Sequence, residues 1–302
     1  MKRLFRILKW MIIAAVTLPV LTLGYMAYIV HSFDDETLPE NYGKVAVNLF
    51  MAENDSQPLI VGLGGAEGGD GWAGPHGEKQ RSMLKDNGYA FLSVAYFGAE
   101  GTPDSLDRIS VNGVHNAVMK AAEDPRINEN CIAVMGVSRG GELALLLGSY
   151  YKAYKGVVGI VPGSSVFAAM TPAMTTPGFS YNEKSLPFVP VPWSATPALL
   201  SRDLRGAFEI MMKDTEAMQA AAINVENIAG PVLFISGKHD EQWPSMEMSK
   251  MMMERLNYSQ FPYYKRHLAL EGGHSEHHDH FGEVMVFLNQ QLRAQPGCAR
   301  SH

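Results

Sequence analysis

Cysteine is scarce in this chain, two in 302 residues, which excludes the dense disulfide framework of small secreted domains and the paired cysteine spacings of structural zinc. The two sit in unlike settings. Cys131 opens an apolar run and Cys298 lies in the polar tail, residues 295–302, and both are expected to be free thiols outside the chemistry. Positive charge is also in short supply: the formal net charge is −6, so nucleic acid is not expected as a partner. The glycine-rich stretch at residues 62–69 is not followed by Gly-Lys-Ser/Thr and does not have dinucleotide-binding spacing. Neither a phosphate cradle nor a cofactor is therefore expected. There is no internal repeat.

The one long uncharged run is at the start. Lys2, Arg3, Arg6 and Lys9 precede residues 10–30, twenty-one positions without a charge, and Asp34, Asp35 and Glu36 follow. That length exceeds a signal-peptide core and reaches the roughly 20 residues a bilayer requires. Residues 1–32 are read as an uncleaved single-pass anchor with its basic flank inside and the rest of the chain exported. The alternative is a secreted or periplasmic protein cleaved near Ser32. A buried core helix is the third reading.

Beyond the anchor, 46% hydrophobic and 19% charged residues describe an ordinary globular chain. Residues 33–57 form a linker and first-strand region. From residue 58 to 294, short β-like runs alternate with helical stretches, as in an α/β domain whose mostly parallel sheet carries helices on both faces. Strands are expected at residues 58–62, 89–96, 131–137, 157–161, 231–236 and 263–270. Helices are expected at 79–85, 105–124, 142–154, 245–256 and 281–292. Residues 162–197 hold seven of the 17 prolines and break the alternation. They mark an insertion, reaching to about residue 205, that is expected either to act as a lid over an apolar acyl pocket or only to cover the sheet edge as an irregular excursion.

The stretch Gly136-Val137-Ser138-Arg139-Gly140-Gly141-Glu142 follows an apolar run and precedes an Ala/Leu-rich helix. Strand, glycine turn around a serine, then helix is the context of a nucleophile elbow in an α/β-hydrolase fold. A serine hydroxyl needs a general base, and the base needs a carboxylate to hold its tautomer. The expected chain order is serine, acid, histidine. Asp240 follows the run 231–236 and His274 follows the run ending at residue 270, so Ser138, Asp240 and His274 are the candidate triad. His277, His278 and His280 are read as surface histidines rather than metal ligands, and no metal is expected. The oxyanion donors are expected to be the N–H of Arg139 and an N–H of the glycine-rich loop, from Gly65 or Ala66.

Taken together, residues 62–69, Gly88-Tyr89-Ala90 leading to Ala95-Tyr96-Phe97, and residues 136–142, 237–243 and 272–274 resemble the carboxyl-terminal catalytic domain of acyl-CoA thioesterases and bile acid-CoA:amino acid N-acyltransferases. That family is itself close to the dienelactone hydrolases. The likeness spans residues 58–292. It implies a serine hydrolase acting on a small-molecule acyl thioester or ester, an acyl-Ser138 intermediate, and release by water. Transfer to an amino acid is the second possibility, but amidating members usually carry cysteine where Ser138 stands, which favours hydrolysis. An exported carboxylesterase of dienelactone hydrolase type and a non-catalytic binding domain complete the alternatives. Eukaryotic members carry a β-rich domain ahead of the catalytic one, where this chain has only residues 33–57, and they work where CoA is present. The natural substrate is therefore expected to be an ester or thioester presented near the membrane.

Overall fold

A computed structural model describes residues 2–53 and 55–299. The chain runs α1 (Lys2–Ser32), β1 (Ala46–Phe50), β2 (Gln57–Leu63), α2 (Glu78–Asp86), β3 (Ala90–Ala95), β4 (Ile109–Ser110), α3 (Val111–Ala122), β5 (Ile127–Val137) and α4 (Arg139–Tyr150). It continues with β6 (Tyr154–Ile160), β7 (Phe179–Tyr181), β8 (Lys184–Ser185), α5 (Thr196–Leu200), α6 (Leu204–Met211) and α7 (Thr215–Ala220). The last elements are β9 (Val232–Gly237), α8 (Ser245–Tyr258), β10 (Lys265–Leu270) and α9 (Phe281–Phe287). By length and composition α1 can cross a membrane, a test that a signal sequence also passes.

The main sheet has the order β1-β3-β2-β5-β6-β9-β10. β1 is antiparallel to β3 and every other pair is parallel. Every residue of β2 and β3 is buried, which explains their continuous apolar character: a parallel strand covered on both faces has no polar side to show. Alternate residues serve opposite faces. Val61, Leu92, Val134 and Phe234 pack with α3, α4 and α8, while Ile60, Phe91, Met135 and Ile235 pack with the α9 side of the sheet. The parallel strands all end at one edge, where the loops bearing Ser138, Asp240 and His274 leave the sheet.

Several boundaries differ from the sequence reading, each for a local reason. The helix expected from residue 105 starts at Val111, because Ile109 and Ser110 pair with Phe179 and Ser180 in a second, three-stranded sheet. Ser110 Oγ then caps α3 by accepting from Gly113 N–H at 3.0 Å. α4 begins immediately after Ser138 rather than at Glu142, and Glu142 serves in its first turn.

The insertion, expected as a lid, contributes no residue to the lining of the cavity at Ser138 among the described residues. It packs beside α4, where the Arg139 guanidinium donates to the carbonyls of Phe167 (3.2 Å) and Ala168 (3.1 Å) and Glu142 accepts from Phe167 N–H at 3.0 Å. Phe167, Val189 and Trp243 build a separate apolar cluster there. Arg139 and Glu142 form a buried ion pair at 2.9 Å. Burial pushes the Glu142 carboxyl up to about 7, against the pull of Arg139 and the Phe167 N–H.

The largest correction concerns the cysteines. Cys131 and Cys298 are not free: they form a buried disulfide that staples the carboxyl-terminal tail to the core of β5 across 167 positions. Separation in sequence concealed it. Closing so long a loop is worth about 5 kcal/mol in the chain-entropy account. Reduction, or replacement of both cysteines by serine, is expected to lower the unfolding free energy by a few kcal/mol, up to about 5 kcal/mol, in denaturant titrations with and without dithiothreitol.

Candidate active site

Ser138 stands at the junction of β5 and α4 with φ 55° and ψ −119°, a backbone conformation that costs a non-glycine residue on the order of 1–3 kcal/mol. Close packing enforces it. A β-carbon on Gly136 would run into the carbonyl of Gly140, and one on Gly140 would run into the carbonyl of Gly64, so only glycine lets the strand, the helix and the loop after β2 approach this closely. Ser138 N–H donates to Ile160 of β6 at 2.8 Å. Its hydroxyl makes no side-chain hydrogen bond among the described residues, the capping role included, and it faces a cavity of about 470 Å³.

Asp240 and His274 meet at the same sheet edge. Asp240 is fully buried. Its Oδ1 accepts from His274 Nδ1 at 2.8 Å, from Gln242 N–H at 3.0 Å and from Trp243 N–H at 3.2 Å, and its Oδ2 accepts from the Ser245 hydroxyl at 2.5 Å. Burial alone would raise this carboxyl. The hydrogen bond and charge of His274, then the Ser245 hydroxyl and the Trp243 N–H, outweigh it and hold the group below its ordinary value. A carboxylate only accepts, so the proton of this bond sits on His274 Nδ1, and the second ring nitrogen, Nε2, takes no part in it. His274 lines the cavity together with Ser138. Its main-chain N–H is fixed by the Glu241 carboxylate at 3.0 Å.

The two loop candidates for an oxyanion donor separate. Gly65 N–H is engaged by the Glu67 carboxylate at 2.9 Å, whereas Ala66 N–H has no hydrogen-bond partner among the described residues and Ala66 lines the cavity. Arg139 N–H is the first of α4, where no intrahelical acceptor exists. Its side chain points elsewhere, into the insertion.

Three features escaped the sequence reading. Glu67 is a cavity-wall carboxylate beside Ser138, an acid in a glycine loop that carries no motif of its own. Ser245 holds Asp240 from the start of α8, five residues on. His277 is buried rather than exposed, and with His278 it lines the cavity. The short helical turn at Glu276–His280 folds the histidine cluster back over the site.

The chain and its fold have counterparts in known proteins. Residues 114–277 match the model of the BAAT / Acyl-CoA thioester hydrolase C terminal family. The chain belongs to this family. Among relatives of the BAAT / acyl-CoA thioester hydrolase domain, acyl-coenzyme A thioesterase 2, mitochondrial, of Mus musculus is 26% identical over 226 residues, covering 72% of this chain and 45% of the relative. Acyl-coenzyme A thioesterase 6 of Homo sapiens is 26% identical over 219 residues, covering 72% and 49%. The chain thus spans about half the length of the curated relatives it matches.

Solved structures agree on the fold. Acylaminoacyl peptidase of Pyrococcus horikoshii superposes with a TM-score of 0.56 at 13% identity, over 83% of this chain and 40% of that one. Est1E of Butyrivibrio proteoclasticus, solved with ferulic acid, superposes at 0.53 with 17% identity, over 82% and 96%. The domain has an α/β-hydrolase fold.

The buried histidine yields a prediction. Burial, then the neighbouring His278, pushes the His277 imidazole down to about 4. Between about pH 4 and the unfolded value near 6.5, the unfolded chain binds a proton that the folded one refuses. Stability contributed by His277 is therefore intact above about pH 6.5 and is lost as pH falls toward 4. Chemical denaturation across this window is expected to give a falling unfolding free energy on acidification, with a shallower slope in His277→Gln by about one proton.

Proposed function

We propose that this protein is a membrane-anchored serine hydrolase of acyl thioesters and esters, with Ser138 as nucleophile, His274 as base and acid, and Asp240 as the residue that orients it. The single observation that carries the reading is the 2.8 Å bond from His274 Nδ1 to a buried Asp240 carboxylate, on a histidine that shares one cavity wall with a serine held at positive φ. Ser138 Oγ attacks the acyl carbonyl carbon while His274 Nε2 takes its proton. The tetrahedral oxyanion is received by Arg139 N–H and Ala66 N–H, the partnered Gly65 N–H being second choice. Collapse breaks the bond to the leaving group, which takes the proton from His274, and leaves acyl-Ser138. Water, deprotonated by His274, then attacks the same carbonyl carbon and releases the acid and the free serine.

An oxygen ester on serine is readily opened by activated water, which favours hydrolysis over transfer to an amino acid. The Cys131–Cys298 disulfide favours an oxidising compartment for the domain. It agrees with an α1 whose basic flank stays inside and whose following segment crosses. Such a location favours esters and thioesters presented at the outer side of the membrane.

With the full chain in neutral detergent, hydrolysis of p-nitrophenyl and thioester substrates is expected to fall by at least about 10³-fold in Ser138→Ala. Asp240→Asn is expected to lose kcat by up to about 10⁴-fold, through the wrong histidine tautomer. Hydrolysis that survives Ser138→Ala would contradict the assignment.

A further inference from the structure

The exit of α1 and the active site lie on the same edge of the sheet. We propose that this edge faces the bilayer, that Trp193 and Leu200 of the insertion sit in the headgroup layer, and that the substrate's acyl chain passes from the membrane into the cavity at Ser138. This rests on the readings above of α1 as a retained anchor and of Ser138 as nucleophile. β1 is antiparallel to β3, with Ala46 opposite Ala95, so it starts where the parallel strands end. Residues 33–45 therefore arrive over the edge that carries Ser138, Asp240 and His274. They are bound to the domain there. Arg108 donates through Nη1 to the Asp35 carbonyl at 2.8 Å and through Nη2 to the Asp34 carbonyl at 3.4 Å, and the Tyr42 hydroxyl lies 2.9 Å from Ser180 Oγ. Arg108 is buried and pairs with Asp107 at 2.8 Å. The same two residues hold the insertion: Asp107 accepts from the Thr176 hydroxyl at 2.6 Å and Arg108 N–H donates to the Pro177 carbonyl at 2.9 Å. α1 ends at Ser32, so at most about 7 Å of chain separates it from the clamped Asp34. A tether that short keeps the clamped edge against the headgroups.

The insertion carries the surface that such a placement requires. Trp193 is 61% exposed, Leu200 65% and Met170 48%, and Leu204 is exposed as well. Met170 N–H donates to the Leu106 carbonyl at 2.8 Å, next to the Asp107-Arg108 clamp. Phe167 pairs with Val189, which brings the stretch before Met170 together with the one that leads to Trp193. Single apolar side chains on a surface need no explanation, but a group of them on one insertion, held by the residues that hold the membrane helix, marks a contact with lipid. Tryptophan suits the headgroup layer because its ring is apolar and its N–H still finds an acceptor there. Arg202, exposed between Leu200 and Leu204, adds a positive charge for anionic headgroups, while its neighbour Asp203 is engaged as the cap of α6, accepting from Gly206 N–H at 2.9 Å. α6 also reaches the active site: Arg205 donates to the Asp240 carbonyl at 2.9 Å. The cavity beyond has Trp72, Ile160, Ile235 and Phe281 in its wall, an apolar lining suited to an acyl chain drawn from lipid.

The test reconstitutes the full chain into mixed phosphatidylcholine and phosphatidylglycerol vesicles containing a phosphatidylcholine with a doxyl quencher near the headgroup end of its chain. Trp10 of α1 is first replaced by Phe, which leaves Trp72, Trp193 and Trp243 as the emitting residues. Quenching is expected, and the quenched component is expected to vanish when Trp193→Phe is added. In the chain with its own Trp10, Trp193→Ser combined with Leu200→Ser is expected to slow hydrolysis of vesicle-borne p-nitrophenyl palmitate by at least about fivefold, through the lost lipid contact, and to leave soluble p-nitrophenyl acetate unaffected. Flotation with the vesicles reports the anchor, and loss of acetate hydrolysis in Ser138→Ala reports the hydrolase. A chain that floats and cleaves while Trp193 emission ignores the label, or whose palmitate and acetate rates respond alike to the double substitution, overturns the inference and leaves both readings standing. A chain that fails to float overturns the anchor, hydrolysis that survives Ser138→Ala overturns the nucleophile, and either takes this inference with it.

Discussion

Around Ser138 three backbones come closer than side chains would permit. The end of β5, the first turn of α4 and the loop after β2 touch through Gly136, Gly140 and Gly64, and the serine between them is held at φ 55°. From this contact follow the opening of Ser138 to the cavity and the closeness of the Glu67 carboxylate. The strain of such a backbone, on the order of 1–3 kcal/mol, is borne by a sheet whose central strands are fully buried. A loosely packed edge could not sustain it.

A second constraint works from the opposite side of the serine. Arg139 and Glu142, both in the first turn of α4, reach away from the cavity and hold the main chain of Phe167 and Ala168. Arg139, the residue next to Ser138, thus anchors the insertion through its side chain. These bonds tie the start of the proline-rich segment to α4. Its backbone polar groups are satisfied by a buried ion pair, and its aromatic residues cluster with Trp243.

Legibility in the sequence followed the range of the interactions. The strands around Ser138 and Asp240 were readable because burial on both faces writes an unbroken apolar run, and the elbow was readable because its glycines are forced by local sterics. Asp240 and His274 could be placed because each directly follows a strand. What failed depended on partners far along the chain. The Cys131–Cys298 bond spans 167 positions and left no spacing signal. The start of α3 was set by pairing of Ile109 with Phe179, and the insertion's packing by an ion pair that reads as two ordinary surface residues. His277 looked solvated within a histidine-rich stretch, and only the turn at Glu276–His280 carries it into the wall. Glu67 was invisible as a wall residue because its role comes from a single bond to Gly65 N–H.

The central claim is that Ser138 is activated by the His274–Asp240 pair. It is tested most directly by treating the full chain with a fluorophosphonate and locating the adduct by peptide mass spectrometry. The account predicts a single covalent phosphonylation at Ser138 in the wild type, slowed by orders of magnitude in His274→Ala while the disulfide and fold remain intact. An adduct on another serine, or labelling of Ser138 at an undiminished rate without His274, would contradict it.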